Sequence, residues 1–253
     1  MLMASLLALG TALSLRTMDA VWAQEAREAQ PAQAPGQDIP PELKVVLDGL
    51  DAANSKVESV KANIVYRRDI QLLEESQTSD GSLVFKKPDL VHLRLGKPRN
   101  EEVCSDGKHW WVVSHNDKQV ELYDAAGLES AATEASFLTF GYGESSAKLL
   151  EKYEITLTSQ KEQAPPPGND PGAPIICYRL KFVPRDKEEP AQFATIEVEV
   201  ASDLWLPRVI ALHESDGEIV HTFQMRDIEL NPDLTAETFT YEPPRGYTVL
   251  QPE

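Results

Sequence analysis

From residue 60 onward, apolar side chains recur at every second position over most of the chain. In the segment from Val60 to Leu72 the even positions are mostly apolar, whereas the odd positions carry mainly Lys, Asn, Arg, Asp and Gln. Successive residues of a β-strand point to opposite faces of a sheet, so this period indicates strands with one wet face. The same alternation returns up to residue 230 and predicts about nine to eleven strands, nearly all of them antiparallel.

One amphipathic helix precedes the strands. Pro40 and Pro41 suit a first helical turn, and Asp38 is placed to cap it. Apolar residues then recur at helical spacing and form one stripe: Leu43, Val46, Leu47, Leu50 and Ala53.

Turn signals divide the strand region. Four dipeptides predict hairpins: Asp80-Gly81, Asp106-Gly107, Asn116-Asp117 and Asp216-Gly217. The segment 125–153 interrupts the strands and predicts either two short helices or a helix and a loop. The Pro- and Gly-rich segment 163–174 predicts a loop.

These elements predict a mainly β fold with few helices. A large sheet curls, and its apolar face must be covered. We therefore expect a curved antiparallel sheet, an open half-barrel, with the first helix and the insert 125–150 over its concave apolar face. The periodicity leaves two alternatives open: a core filled by side chains, or a cavity that accepts a ligand.

The ends of the chain predict processing and one domain. Residues 1–23 have an apolar run and small residues before a cleavage point after Ala23, as in a Sec signal peptide, which implies a periplasmic location. Residues 24–37 are rich in Ala, Gln, Glu and Pro and predict a flexible leader. Residues 38–253 then form a single domain.

Charge and motifs narrow the function classes. A net charge of −17 disfavours nucleic acid and polybasic attachment to anionic lipid. No nucleophile motif or phosphate loop occurs, so an enzyme is not expected. With the two-residue Asp216-Gly217 turn, residue 212 is predicted to pair with 221 and residue 213 with 220, so His213 and His221 point to opposite faces and cannot share a metal. Cys104 and Cys177 are expected several strands apart, which disfavours a disulfide.

Several short segments, in this order and spacing, resemble the periplasmic outer-membrane lipoprotein carriers of the LolA-like family. They are Lys86-Lys87-Pro88, Ser105-Asp106-Gly107-Lys108 before Trp110-Trp111, Gln119-Val120, and Pro243-Pro244-Arg245-Gly246. The resemblance implies an open half-barrel that carries triacylated lipoproteins, taken from an inner-membrane ABC transporter and passed to an outer-membrane acceptor, without a cofactor. It also fits LolA-like modules that sense lipids or lipoproteins, or that regulate a partner without transport. A monomer is expected.

The resemblance, together with the strand phase, defines a candidate lipid-binding face. Its predicted members are Ile64, Tyr66, Ile70, Leu72, Leu83, Phe85, Val91, Leu93, Leu95, Ile155, Leu157, Ile176, Tyr178, Leu180, Ile196, Val198, Ile210, Leu212, Phe223 and Met225. The predicted lid residues are Leu43, Val46, Leu47, Leu50, Phe137, Leu138 and Phe140, with Lys87 as the latch. The family's latch is an Arg at the position of Lys87, and Lys86 is the alternative cation because adjacent strand residues face opposite ways.

Overall fold

The computed structural model describes residues 39–124, 145–163, 174–186 and 192–251. The predicted signal peptide and leader, together with Phe137, Leu138 and Phe140, lie outside these ranges. Within them, two α-helices are found, α1 (Pro41–Asn54) and α2 (Ser146–Lys152), and two short 3-10 helices, Gln71–Leu73 and Ala236–Phe239.

The described residues form twelve strands. They are β1 (Ser59–Ile70), β2 (Glu75–Lys86), β3 (Leu90–Leu95), β4 (Glu101–Asp106), β5 (His109–Ser114), β6 (Gln119–Asp124), β7 (Tyr153–Gln163), β8 (Ile175–Pro184), β9 (Phe193–Ala201), β10 (Leu206–Glu214), β11 (Ile219–Leu230) and β12 (Thr248–Leu250).

All twelve strands belong to one open sheet in the order β12-β6-β5-β4-β3-β2-β1-β11-β10-β9-β8-β7. Two antiparallel meanders, β1–β6 and β7–β11, join through the pairing of β1 with β11. Only β12 is parallel to its neighbour: the end of the chain returns to lie beside β6. The predicted fold class is confirmed, because the sheet is large, almost wholly antiparallel and not closed.

The helix α1 begins as its sequence predicts. Its buried residues are Leu43, Val46, Leu47 and Leu50, which is the predicted apolar stripe, and Ala53 packs beside them. Pro40 is the N-cap, and Asp38, the predicted cap, lies outside the described residues. The two prolines set the first turn, since Pro at the first helical position leaves no unsatisfied N–H.

Three of the four predicted hairpins are confirmed. Turns join β4 to β5, β5 to β6 and β10 to β11, and Gly107 and Gly217 adopt positive φ angles of 85° and 75°. The register of the last hairpin is also as predicted, since Leu212 pairs with His221 and His213 with Val220.

The hairpin predicted at Asp80-Gly81 is wrong. Both residues lie inside β2, and the chain turns earlier, at Gln71–Leu73, with Glu74 in the left-handed region at φ 53°. Gly81 has another role: a Cβ there would lie 2.1 Å from the Arg94 carbonyl oxygen of β3. The glycine therefore permits close approach of two strands.

Candidate lipid-binding site

The apolar residues of the sheet share one buried face under α1. All but four of the twenty predicted lipid-binding residues are buried in the main core cluster. Leu157 and Ile176 are half-buried and pack against that cluster, and Ile70 is half-buried at the end of β1. The structure thus brings the predicted face together, with the stripe of α1 packed into the same cluster.

Leu72 is a wrong member of that face. It is 79% exposed and lies in the 3-10 turn after β1, not on a strand. The even-position rule holds only while the strand continues, and β1 ends at Ile70.

A lysine holds the carboxyl end of α1. The Lys87 Nζ atom lies 2.5 Å from the carbonyl oxygen of Asn54, the last residue of the helix. Lys87 is half-buried, whereas its neighbour Lys86 is exposed. The last carbonyl groups of a helix lack intrahelical partners and carry partial negative charge, so a cation is favoured there. The predicted position of Lys87 beside helix-end carbonyls is therefore found.

A second polar contact joins α1 to α2. The Asp51 carboxylate accepts hydrogen bonds from the Ser146 backbone N–H at 2.8 Å and from its hydroxyl at 2.5 Å. Acidic groups are favoured at the first turn of a helix, where N–H groups are unpaired. The sequence does not indicate this contact, because nothing in the local pattern relates residues ninety-five positions apart.

The middle of α1 rests on an indole ring. A Cβ built on Gly49 would lie 2.3 Å from a Trp205 ring carbon, so only glycine fits at this crossing. The Trp205 ring stacks in turn on Tyr178, with ring centroids 5.5 Å apart. Close approach of a helix backbone to an aromatic surface gives α1 a defined seat.

A groove opens beside this seat. It has a volume of about 430 Å³ and lies among the second half of α1, the turn at 203–205 and the end of β11. Its apolar lining includes Ala52, Val57 and Leu204, and its charged lining residues are Lys56 and Asp203. None of the predicted lipid-binding residues lines this groove.

Three polar side chains, joined by hydrogen bonds, interrupt the apolar face. The Tyr66 hydroxyl lies 2.9 Å from His221 Nδ1, and His221 Nε2 lies 2.7 Å from a Glu214 carboxylate oxygen. Tyr66 and His221 are almost fully buried, at 1% and 2% exposed. The strand-phase rule did not include His221 in the lipid-binding face because that rule counts only apolar residues. The predicted pairing of 212 with 221 nevertheless placed it beside Leu212.

The opposite face of β3 and β4 holds a second polar cluster. The Glu102 carboxylate lies 2.5 Å from His92 Nε2, accepts a bond from Arg94 Nε at 3.0 Å, and lies 3.3 Å from His115 Nε2. Burial raises the pKa of Glu102, but the bonds from His92 and Arg94 outweigh burial and lower that pKa to about 2. Glu102 is therefore ionised at neutral pH.

The C-terminal segment lies over this second cluster. The Thr238 carbonyl oxygen is 2.7 Å from His92 Nδ1, and the Tyr247 hydroxyl is 2.9 Å from His115 Nδ1. Cys104 is fully buried on the same face, and burial, followed by the charge of Glu102, raises the pKa of its thiol to about 12. These contacts fasten the segment that ends as β12.

Cys104 and Cys177 are both free, and six strands separate β4 from β8. The described residues contain no group of three or more metal-ligating side chains. None of their helices is long and apolar enough to cross a bilayer.

An open antiparallel sheet with one helix laid over its apolar face defines the class of fold. Residues 55–165 match the family model described as outer membrane lipoprotein carrier protein LolA. The resemblance seen in the sequence is therefore confirmed for this part of the chain, which matches the LolA family model.

Individual relatives are distant. The outer-membrane lipoprotein carrier protein of Halorhodospira halophila is 23% identical over 181 residues, which cover 72% of each chain. An uncharacterised conserved protein from Thermus thermophilus is 12% identical, with 83% of this chain and 99% of that chain covered at a TM-score of 0.49. A LolA superfamily protein from Nitrosomonas europaea is 13% identical, with coverages of 78% and 97% and a TM-score of 0.38.

Proposed function

We propose that this protein is a periplasmic carrier that binds acyl chains of lipoproteins or other lipids on its concave apolar face and transfers them towards the outer membrane. The observation that carries the proposal is the arrangement of α1 over that face. Its apolar stripe packs into the same cluster as the strands, and polar contacts of Lys87 and Asp51 fasten its carboxyl-terminal half. The LolA domain match supports the same function.

Displacement of α1 exposes the acyl-binding surface. Each acyl CH₂ group removed from water contributes about 0.8 kcal/mol, so an acyl chain can replace the helix stripe as the partner of the sheet. The contacts at Asn54 and Ser146 involve few groups at the helix end. A helix seated this way is suited to act as a lid, because little polar structure must be broken for it to move.

The proposal extends to processing and partners. Residues 1–23 would be removed as a signal peptide, residues 24–37 would form a leader, and residues 38–253 would form the carrier domain. The donor would be an inner-membrane ABC transporter and the acceptor an outer-membrane protein, with the carrier acting as a monomer.

Paired substitutions in α1 test the lid. Leu47 is 2% exposed and faces the core, whereas Val45 in the same helix is 54% exposed. We expect Leu47→Asp to weaken α1 docking and speed release of a fluorescent acyl probe, while Val45→Asp leaves release unchanged. Urea unfolding of both variants checks that the sheet stays folded. Equal release rates in two folded variants would contradict the assignment of α1 as the lid.

A further inference from the structure

An arginine extends the apolar face at the end of β1. Arg68 follows Ile64 and Tyr66 in the same strand phase, and its Cα pairs with that of His221 on β11. Its Nε atom is buried and has no hydrogen-bond partner. Within the part of the chain that the structure describes, no carboxylate lies at ion-pair distance from it.

The neighbours of Arg68 are already engaged. The two ring nitrogens of His221 face the Tyr66 hydroxyl and Glu214, and Gln77, opposite Arg68 on β2, is exposed. A guanidinium keeps its charge under all ordinary conditions, and leaving a buried donor unpaired costs about 1–3 kcal/mol. Proteins rarely leave such groups without a partner. The position therefore calls for an acceptor from outside the described structure.

Two nearby arginines, Arg67 and Arg99, have carboxylate partners, in contrast to Arg68. Arg67 points to the opposite face of the strand, and its guanidinium forms an ion pair with Asp69 at 2.8 Å. A second cation, Arg99, has its guanidinium carbon 5.5 Å from the centre of the Tyr66 ring, but it pairs with Glu101 at 2.7 Å. The Nε atoms of Arg68 and Arg99 are both buried without a hydrogen bond, but of these three arginines only Arg68 has no carboxylate at ion-pair distance among the described residues.

We propose that Arg68, with the Tyr66–His221 pair beside it, is a subsite for an anionic lipid head group, a carboxylate or phosphate. The planar guanidinium matches two oxygens of such a group. The acyl chain of the same ligand lies along the apolar positions that precede Arg68 on β1, namely Tyr66, Ile64, Ala62 and Val60. The inference rests on the proposed acyl-binding function and narrows its ligands to amphiphiles that carry an anionic group.

The test compares a fluorescent fatty acid with its methyl ester, both labelled at the far end of the same chain. At a pH where the carboxylate is ionised, wild-type protein should bind the acid about tenfold more tightly, as expected for a hydrogen bond to a charged group. Arg68→Gln should remove this preference and leave the ester affinity unchanged. Arg68→Lys should retain part of it, and the control Arg67→Gln all of it.

The outcomes separate the two proposals. Equal affinity of wild-type protein for acid and ester overturns the subsite but leaves the carrier function standing. Failure of both probes to bind contradicts the carrier function itself. A competition experiment with inorganic phosphate completes the test. If phosphate displaces the acid probe at matched concentrations, the site recognises a free anion and not a lipid head group. Loss of ester binding in Arg68→Gln would show a general packing role and also overturn the subsite.

Discussion

At the scale of single residues, the buried charge of Glu102 stabilises the polar cluster on the opposite face of β3 and β4. Glu102 is surrounded by His92, Arg94 and His115, and the two histidines also contact the C-terminal segment. A carboxylate whose folded pKa lies below its ordinary value stabilises the fold above the ordinary pKa. That stability is lost as the pH falls through the folded pKa.

Glu102→Gln should therefore reduce stability at neutral pH and remove part of the acid sensitivity. The relevant window runs from the ordinary pKa of 4.5 down to about 2. After solvent screening is allowed for, the difference between wild type and variant should be about 1–2 kcal/mol above this window and vanish below it. Urea unfolding across the window measures it. A constant difference at all pH values would contradict the role given to the Glu102 charge.

Gly49 sets the seat of α1 by the absence of a side chain. In an exposed helix interior, Gly→Ala stabilises by about 1 kcal/mol. Here the new Cβ meets the Trp205 ring at 2.3 Å, and overpacking costs about 1–3 kcal/mol. We expect Gly49→Ala to be destabilising by about 1 kcal/mol in thermal or urea unfolding.

Trp205→Leu provides the matched background for that substitution. Removal of the ring frees the space, so Gly49→Ala should become neutral or stabilising there. If the substitution costs the same in both backgrounds, the contact between Gly49 and Trp205 does not seat the helix.

At the scale of elements, the proposed latch at Lys87 should govern how readily α1 opens as a lid. An ammonium makes one contact to Asn54, whereas a guanidinium can reach several helix-end carbonyl groups. Lys87→Arg should slow release of an acyl probe, and Lys87→Leu should speed it by several-fold. Stopped-flow displacement measures both rates.

Lys86→Leu is the control for the latch. It removes an adjacent charge that is exposed, so the release rate should match that of the wild type. An unchanged rate in Lys87→Arg, or an equal acceleration in both Leu variants, would show that the contact with Asn54 does not hold the lid.

Some turns between these elements were predictable from the sequence, and others were not. The Asp216-Gly217 hairpin was predictable in its register because a slip of one residue would move Leu212 and Phe223 to the wet face. The turn at Gln71–Leu73 was not, because no Gly or Asn-Gly marks it and Glu74 adopts the left-handed conformation without a typical residue. The prediction of a hairpin at Gly81 was wrong because glycine occurs both in turns and where two strands approach closely.

The candidate site divides in the same way. Most residues chosen by strand phase are buried in the apolar cluster, since hydrophobic burial follows the period of two, but the cluster also holds Val103, Trp110 and Phe193, which were not chosen. Arg68 and His221 were missed because a polar residue in an apolar phase looks like a break in the pattern. The role of His221 depends on partners from distant strands, and that of Arg68 on a buried donor without an acceptor, and no local pattern reports either. The same holds for the parallel pairing of β12 with β6.

At the scale of the whole molecule, two half-sheets joined at β1 and β11 present one apolar face, which α1 covers. The opposite face is wet except where the C-terminal segment packs near Glu102 and Cys104. The proposed function places lipid on the concave face, and the contacts of the C-terminal segment stabilise the other face. The central claim is that the concave face exchanges the α1 stripe for acyl chains.

The most direct measurement is mass spectrometry of solvent extracts from protein purified out of a bacterial periplasm. The account predicts acyl lipids in stoichiometric amount with the wild-type chain and clearly less with Leu47→Asp, whereas Val45→Asp keeps the wild-type amount. Extracts without lipid, from a folded protein that also fails to bind an added acyl probe, would contradict it.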